Sequence, residues 1–343
     1  MSRKVIIIAE AGVNHNGDFE NAKKLVLAAA NAGADYIKFQ TFKADNLVSK
    51  NAVKANYQKI NSLNNSDNSQ YEMLKKLEMP ESWYYDLIDL ANKSGIKFLS
   101  TGFDEQSIDF LESLNLEIFK IPSGEITNKP YLEHIASKGR PVIISTGMSS
   151  INEIGQAIKI LMTNNVLKEN ITILHCNTEY PTPMSDVNLK AMLSLKKQFG
   201  VKVGYSDHTL GIEVPIAAVA LGAEVIEKHF TLDKNMDGPD HKASLSPIEL
   251  TDMVRAIRNI ELAISGSGEK VVTESERKNM AIARKSIHLK NEIKSGHIIE
   301  FKDLIMKRPG NGISPMQIDE VIGKRVVRDL NEEHMLVFND LMN

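Results

Sequence analysis

The sequence predicts an α/β chain, a TIM (β/α)8 barrel followed by a small separate domain, and three observations carry that prediction. Eight short β-rich runs alternate with helical patterns between residues 5 and 264, the repeat of parallel strands joined by crossover helices. The first strand-to-helix turn reads AGVNHNGD (11–18) and lacks the GxGxxG fingerprint that usually opens a doubly wound sheet. That open sheet is the runner-up. After Gly266 the texture changes: SGSGEKVVTESERKN (265–279) reads as a linker, and the tail beyond it has short strand-like runs, a KRPGNGISP turn cluster and little long helix. The expected division is a barrel over 1–265, a linker over 266–283 and a small domain over 284–343.

The strand candidates are VIIIAEAG (5–12), ADYIKFQ (34–40), IKFLSTG (96–102), IFKIPSG (118–124), PVIISTG (141–147), ITILHCN (171–177), VKVGYSD (201–207) and VIEKHF (225–230). They are rich in Val, Ile and Phe and are bounded by turn residues. Helical patterns fall over 20–32, 82–94, 104–114, 152–164, 188–199 and 213–221. A last helix is expected over 246–264, where Ser246 and Glu249 have capping-box spacing and Pro247 sits at the first-turn position. Residues 43–79 break the repeat as a long polar insertion that includes NNSDNSQ (64–70). An insertion of this length is either a lid or a loose surface loop.

Composition narrows the function. The chain has 343 residues, 42% hydrophobic and 25% charged, with a net charge of −3. That is an ordinary globular composition without a global basic field, which argues against nucleic acid or an anionic membrane as the main partner. One cysteine, Cys176, rules out an internal disulfide framework and suits a reducing compartment. The apolar run at the N-terminus, Val5 to Ile8, is cut short by Glu10, too early for a signal peptide. No run approaches the ~20 residues of a spanning helix. A cytoplasmic enzyme without a membrane partner is expected.

Barrel chemistry sits at the C-terminal ends of the strands, and polar residues concentrate there. In order they are Glu10, Asn14 and His15; Lys38 and Gln40; Ser100 and Thr101; Lys120, Ser123 and Glu125; Ser145 and Thr146; His175 and Asn177; Ser206, Asp207 and His208; Glu227 and His229. Residues two apart share a face, so Lys38 with Gln40, His175 with Asn177, Ser206 with His208 and Glu227 with His229 are expected inward or at the mouth. His208 and His229 end neighbouring strands and are candidate ligands of one divalent metal, with Glu10, Asp207, Glu227 and Asp240 as oxygen or outer contacts. Histidine with oxygen and open water positions suits Mn²⁺ or another octahedral metal better than structural zinc. Lys38 and Lys120 with Ser123, Ser145 and Ser206 form a candidate anion cradle. Gln40, Thr101 and Glu227 are further substrate-binding candidates, and Glu125 is an acid/base candidate.

The stretches AEAGVNHNGD (9–18), KFQTFKAD (38–45), KIPSGEITN (120–128), ISTGM (144–148), HCNTEYPTP (175–183), GYSDHT (204–209), EKHFTLD (227–233), GPDHKAS (238–244) and KRPGNGISP (307–315) resemble those of the sialic acid synthases. The likeness runs in order through nearly the whole chain. The tail resembles the antifreeze-like (SAF, β-clip) domain these enzymes carry. The resemblance implies condensation of phosphoenolpyruvate with an N-acylated mannosamine. It implies a domain-swapped homodimer in which each tail covers the partner's barrel mouth, and Mn²⁺ on His208 and His229. Lys38, Lys120, Ser123, Ser145 and Ser206 match phosphoenolpyruvate-binding positions. Glu10, Tyr180 and Asp240 match sugar-binding positions. Arg308 matches the tail arginine that reaches the N-acyl group, and Glu125 the glutamate that takes a proton from water. Asn177 and Thr178 depart from the pair some members carry, which leaves open which of the two touches phosphate.

The first reading of the sugar is N-acetylmannosamine, giving N-acetylneuraminic acid. The alternative is a 2,4-diacetamido-2,4,6-trideoxymannose, giving legionaminic acid by the same machinery. Two other classes compete: a Schiff-base aldolase on Lys38, Lys120 or Lys228, and a non-catalytic glycan- or ice-binding protein built on the tail.

Overall fold

The computed structural model describes residues 4–55, 58–59 and 69–343. Eight strands, β1 (Ile6–Gly12), β2 (Tyr36–Thr41), β3 (Lys97–Gly102), β4 (Phe119–Ile121), β5 (Val142–Ser145), β6 (Ile171–Cys176), β7 (Lys202–Asp207) and β8 (Val225–His229), close into a barrel in sequence order. Parallel pairing of β1 with β8 completes the ring. The chain is therefore a TIM-type barrel.

Four of the helices between strands start where a short polar side chain satisfies an exposed N–H group of the first turn. Asp18, Asp104, Asn128 and Ser150 each cap one. The expected capping box at Ser246 and Glu249 is present, with Pro247 opening the helix Pro247–Ala263. Burial is two-sided, as in parallel sheets. Outward residues such as Ile7, Ile37, Phe119, Ile144, Ile173 and Val203 pack under the helices in the main core. Inward residues Ile8, Tyr36, Leu99, Ile143, Leu174 and Val225 form a separate apolar plug inside the barrel.

The insertion after β2 holds a short helix, Ala44–Leu47, and a second, Gln70–Leu77. The isolated bridge Val53–Ser69 ties its two arms together. Most of NNSDNSQ, residues 64–68, lies outside the described residues, so the choice between lid and loose loop rests on the arms alone.

The chain divides into two compact units, Met1–Gly266 and Ser267–Asn343. The second contains two antiparallel pairs, β9 (Ser286–Leu289) with β10 (Leu304–Lys307) and β11 (Arg325–Val326) with β12 (Leu341–Met342). Its own core includes Ile287, Leu289, Ile299, Leu304, Val326 and Leu336. The segment read as a linker carries a helix, Glu274–Ala283, capped by Thr273 and Glu276, with no buried residue. Gly and Ser at its start suggested coil, but the capping box at its first turn was the stronger signal. No helix among the described residues is long and apolar enough to cross a membrane.

Candidate active site

The apolar plug fixes the site by parity. Two residues beyond Ile8, Tyr36, Leu99, Ile118, Ile143, Leu174 and Val225 lie Glu10, Lys38, Thr101, Lys120, Ser145, Cys176 and Glu227. Each shares its strand's inward face, and together they make a polar layer on top of a greasy one. Lys38 Nζ lies 2.8 Å from Glu10 Oε2 and 3.6 Å from Glu227 Oε2, and donates to Thr101 Oγ1 at 2.8 Å. Lys120 Nζ donates to Ser145 Oγ at 2.7 Å and lies 3.7 Å from Glu227 Oε1. Ser206 Oγ donates to the same Glu227 oxygen at 3.0 Å. Gln40 Nε2 reaches Glu10 Oε1 at 3.3 Å.

These groups hold unlike charge states. Burial lifts the Glu10 carboxyl, and the nearby Glu227 charge adds to the lift against the pull of Lys38. Burial would lift Glu227 as well, but Lys120 and Lys38 together outweigh it and hold that carboxyl below its ordinary range. Burial pulls Lys120 down, with Glu227 opposing. The Cys176 thiol is pushed up to about 11 by burial and stays protonated.

β1 ends in a bulge between Glu10 and Gly12. Gly12 has φ +54°, and a Cβ there would sit 3.2–3.4 Å from Gln40, Glu10 and His229. Glycine thus lets the backbone turn directly against three site side chains.

His208 and His229 stand side by side, ring centroids 5.4 Å apart, with Tyr180 stacked 4.0 Å from the His208 ring. His208 Nδ1 donates to the carbonyl of Asn177, which leaves Nε2 as the lone-pair nitrogen. Burial lowers His208 to about 4, and lowers His229 well below its ordinary value. Both rings are neutral, the form a metal takes. His229 Nδ1 is buried and unpartnered, its nearest carboxylate being Asp240 Oδ2 at 3.9 Å. These donors fit a divalent cation. Among the described residues no group of three or more His, Cys, Asp or Glu has metal-holding geometry, so such an ion would take its other ligands from water and substrate.

One cavity of about 550 Å³ gathers these groups. Glu10, Lys38, Gln40, Thr101, Lys120, Ser123, Glu125, Ser145, Thr178, Tyr180, Ser206, His208, Glu227, His229 and Asp240 all line it. Of the pair after Cys176, Thr178 faces the cavity, while the Asn177 side chain accepts from the Glu179 backbone and shapes the turn. Glu125 is oriented by Asn128, whose amide donates to it at 2.6 Å. Arg308 belongs to the second unit, just after β10.

The structure corrects several expectations. His175 faces outward, with Nε2 bonded to the Val187 carbonyl and its ring edge-on to Tyr205. Cys176 takes the inward place on β6. The strand is apolar on both faces, so alternation could not say which side was in. Asp207 does not line the cavity; it forms a fully buried ion pair with Lys228 on the outer face, Nζ to Oδ2 2.5 Å. Lys228 therefore reaches no substrate cavity. Ser100 and Thr146 also turn away, to Thr41 and the Leu174 carbonyl. His15 packs on Trp83 and Phe39, and His241 bonds Thr231 and Asn16. Sequence reasoning missed the apolar part of the cavity: Val13, Leu47, Val48, Met73, Leu74, Leu77, Phe103 and Met148.

Comparison with known proteins places this geometry in context. The chain matches the NeuB family over residues 25–270 and the SAF domain over 284–342. It is 53% identical to the N,N'-diacetyllegionaminic acid synthase of Campylobacter jejuni, over 97% of this chain and 99% of that one. It is 52% identical to the enzyme of the same name from Legionella pneumophila, over 99% and 95%. Among solved structures it resembles the N-acetylneuraminic acid synthetase of Leptospira borgpetersenii, with TM-score 0.69 and 34% identity over 81% of this chain and 90% of that one.

Proposed function

This chain belongs to the NeuB family, and from that premise we propose that it condenses phosphoenolpyruvate with an N-acylated mannose-type sugar to give a nonulosonic acid and phosphate. Of the two sugars the sequence left open, the 2,4-diacetamido-2,4,6-trideoxymannose is better supported than N-acetylmannosamine. Two legionaminic acid synthases are 53% and 52% identical to this chain over the aligned residues. The product is then N,N'-diacetyllegionaminic acid. The observation that carries the reading is the layer of Glu10, Lys38, Lys120 and Glu227 lying in one cavity with two neutral histidines.

The residues divide the work. Lys38 and Lys120 offset the charge of phosphoenolpyruvate, and Ser123, Ser145 and Ser206 donate to its oxygens. Tyr180 and Asp240 hold the open-chain sugar beside His208 and His229, so that C3 of phosphoenolpyruvate meets the aldehyde carbon. Glu10, kept partly protonated by burial, is suited to give the proton the aldehyde oxygen takes up. Glu125, oriented by Asn128, accepts a proton from the water that adds to C2. The C2–O bond to phosphate then breaks, the new C2 hydroxyl passes its proton to the departing phosphate, and C2 becomes the ketone. His208 and His229 would hold a divalent ion, most suitably Mn²⁺, which when bound polarises the aldehyde as a Lewis acid. We place the enzyme in the cytoplasm as a homodimer, with Arg308 of each tail serving the N-acyl group in the partner's barrel.

The test is phosphate release from phosphoenolpyruvate by the purified protein with each sugar in turn. The reading expects turnover of the diacetamido sugar at the higher kcat/KM, its loss on chelation and its return with Mn²⁺. Metal titration by calorimetry should show an ion bound to the parent and not to a His208→Ala, His229→Ala variant. A protein that releases phosphate with neither sugar refutes the condensation.

A further inference from the structure

The cavity is lined by two unlike chemistries. Its floor is the charged layer of Glu10, Lys38, Lys120 and Glu227. Another part of its lining is apolar and comes from the insertion after β2. Leu47 ends the short helix Ala44–Leu47, and Met73, Leu74 and Leu77 share a face of the helix Gln70–Leu77. Phe103 joins them from the end of β3.

These side chains are held in place. Leu47, Met73, Leu74 and Phe103 pack, partly buried, on the buried side chains of Val13, Phe42 and Leu77 in a small core of their own. Phe103 sits edge-on to Phe42 with ring centroids 6.0 Å apart. The patch is thus a supported wall that still faces the cavity. Neither the phosphate cradle nor the proton transfers make use of it.

An apolar wall in a sugar site discriminates by what it fails to offer. A hydroxymethyl group pressed on it would give up hydrogen bonds to water and gain none. A methyl group in the same place would bury apolar surface instead. The two candidate sugars differ in this way at C6. Gln70, on the same helix, also lines the cavity and supplies amide groups suited to a second acetamido group.

We propose that Leu47, Met73, Leu74 and Phe103 form the subsite that selects a 6-deoxy sugar, seating its C6 methyl against the insertion wall. The proposal rests on the condensation reading and names the specificity of that same cavity. Apolar pockets reject an added hydroxyl by roughly a hundred-fold at most, so the selection is a bias of roughly ten- to a hundred-fold.

The experiment compares kcat/KM for two sugars that differ only at C6, the 2,4-diacetamido-2,4,6-trideoxymannose and its 6-hydroxy counterpart, at saturating phosphoenolpyruvate. The parent should prefer the deoxy sugar by roughly ten-fold or more. Met73→Gln and Leu74→Gln, made separately, should each shrink that ratio several-fold while leaving the KM for phosphoenolpyruvate unchanged. Equal kcat/KM for both sugars in the parent overturns the proposal without any variant. A fall in both sugars together, at constant ratio, overturns it too and makes the wall a cover that excludes water. If the parent turns over neither sugar, the condensation itself fails, and that outcome is distinct from loss of selectivity.

Discussion

Removing the Lys228 ammonium while leaving its carboxylate partner in place should destabilise the barrel severely. Both side chains are fully buried, and Nζ lies 2.5 Å from Asp207 Oδ2 and 2.5 Å from the Thr209 carbonyl. Burial pulls the Lys228 ammonium below its ordinary range and the Asp207 charge opposes that pull, so the pair persists by mutual compensation. Lys228→Met would leave a carboxylate out of water with two donors, the Thr209 N–H at 3.0 Å and hydroxyl at 3.1 Å. Breaking a buried pair from one side costs ~3–5 kcal/mol. The two surviving hydrogen bonds place this case near the lower end, about 3 kcal/mol. Replacing both partners, as in Asp207→Asn with Lys228→Met, should recover much of that loss, because no uncompensated charge remains. Trp83 is the sole tryptophan and belongs to the barrel unit, so its fluorescence in urea follows that unit alone. A Lys228→Met protein within about 1 kcal/mol of the parent, well short of the one-sided cost, would refute the reasoning. Borohydride in the presence of substrate should trap nothing on Lys228, since the buried amine does not line the active-site cavity.

Other perturbations separate the parts of the site. Lys120→Ala should weaken phosphoenolpyruvate handling by roughly ten- to a hundred-fold, the worth of one charge-assisted contact; a change confined to sugar saturation would show the cradle is misplaced. Acidification should destabilise the barrel through His15, which burial lowers to about 4. The unfolded imidazole takes a proton near pH 6.5 and the folded one only near 4, so stability is lost as pH falls through that window. Between pH 7 and 5 this one group contributes about 2 kcal/mol, and His15→Gln should flatten the pH dependence of unfolding by that amount, read by circular dichroism. For the dimer, mixing inactive Arg308→Ala with inactive Glu125→Ala subunits should restore partial turnover, because each mixed dimer has one site with both groups. Mixed dimers verified by mass that stay inactive would rule out an arginine supplied across the interface.

Much of the site was legible because barrel strands impose a period of two. Glu10, Lys38, Lys120 and Glu227 were all strand-end polar residues, parity turned Lys38 and Glu227 inward, and the structure brings the four within ion-pair distance. The same rule failed on β6. Ile171 and Ile173 pack outward and Leu174 inward, so both faces look alike in sequence and the polar His175 drew attention from Cys176. It also failed for Asp207 and Lys228, where two charges at strand ends satisfy each other instead of a ligand. The apolar wall was illegible for another reason. Leu47 and Met73 are far apart in a polar stretch, and only tertiary packing onto Val13 and Phe42 gathers them. The helix Glu274–Ala283 was announced by its capping box and masked by the glycines and serines before it.

The charged layer on the barrel floor consists of two lysines and two glutamates, whose formal charges cancel when both carboxylates are ionised. In that ionised form the empty site does not hold a standing positive field in wait for its anion. The lysines are already spoken for, and an incoming phosphate ester must draw them away from carboxylates that cannot leave. What can yield is the protonation state of Glu10, which burial and Glu227 already push upward. A new negative charge nearby pushes the same way. Substrate capture is then tied to proton uptake from solvent, and the heat of binding should vary with the ionisation enthalpy of the buffer. The floor behaves less as a fixed electrostatic trap than as a small reservoir that exchanges one counter-charge for another, so that the site can hold a highly charged substrate and still release a charged product.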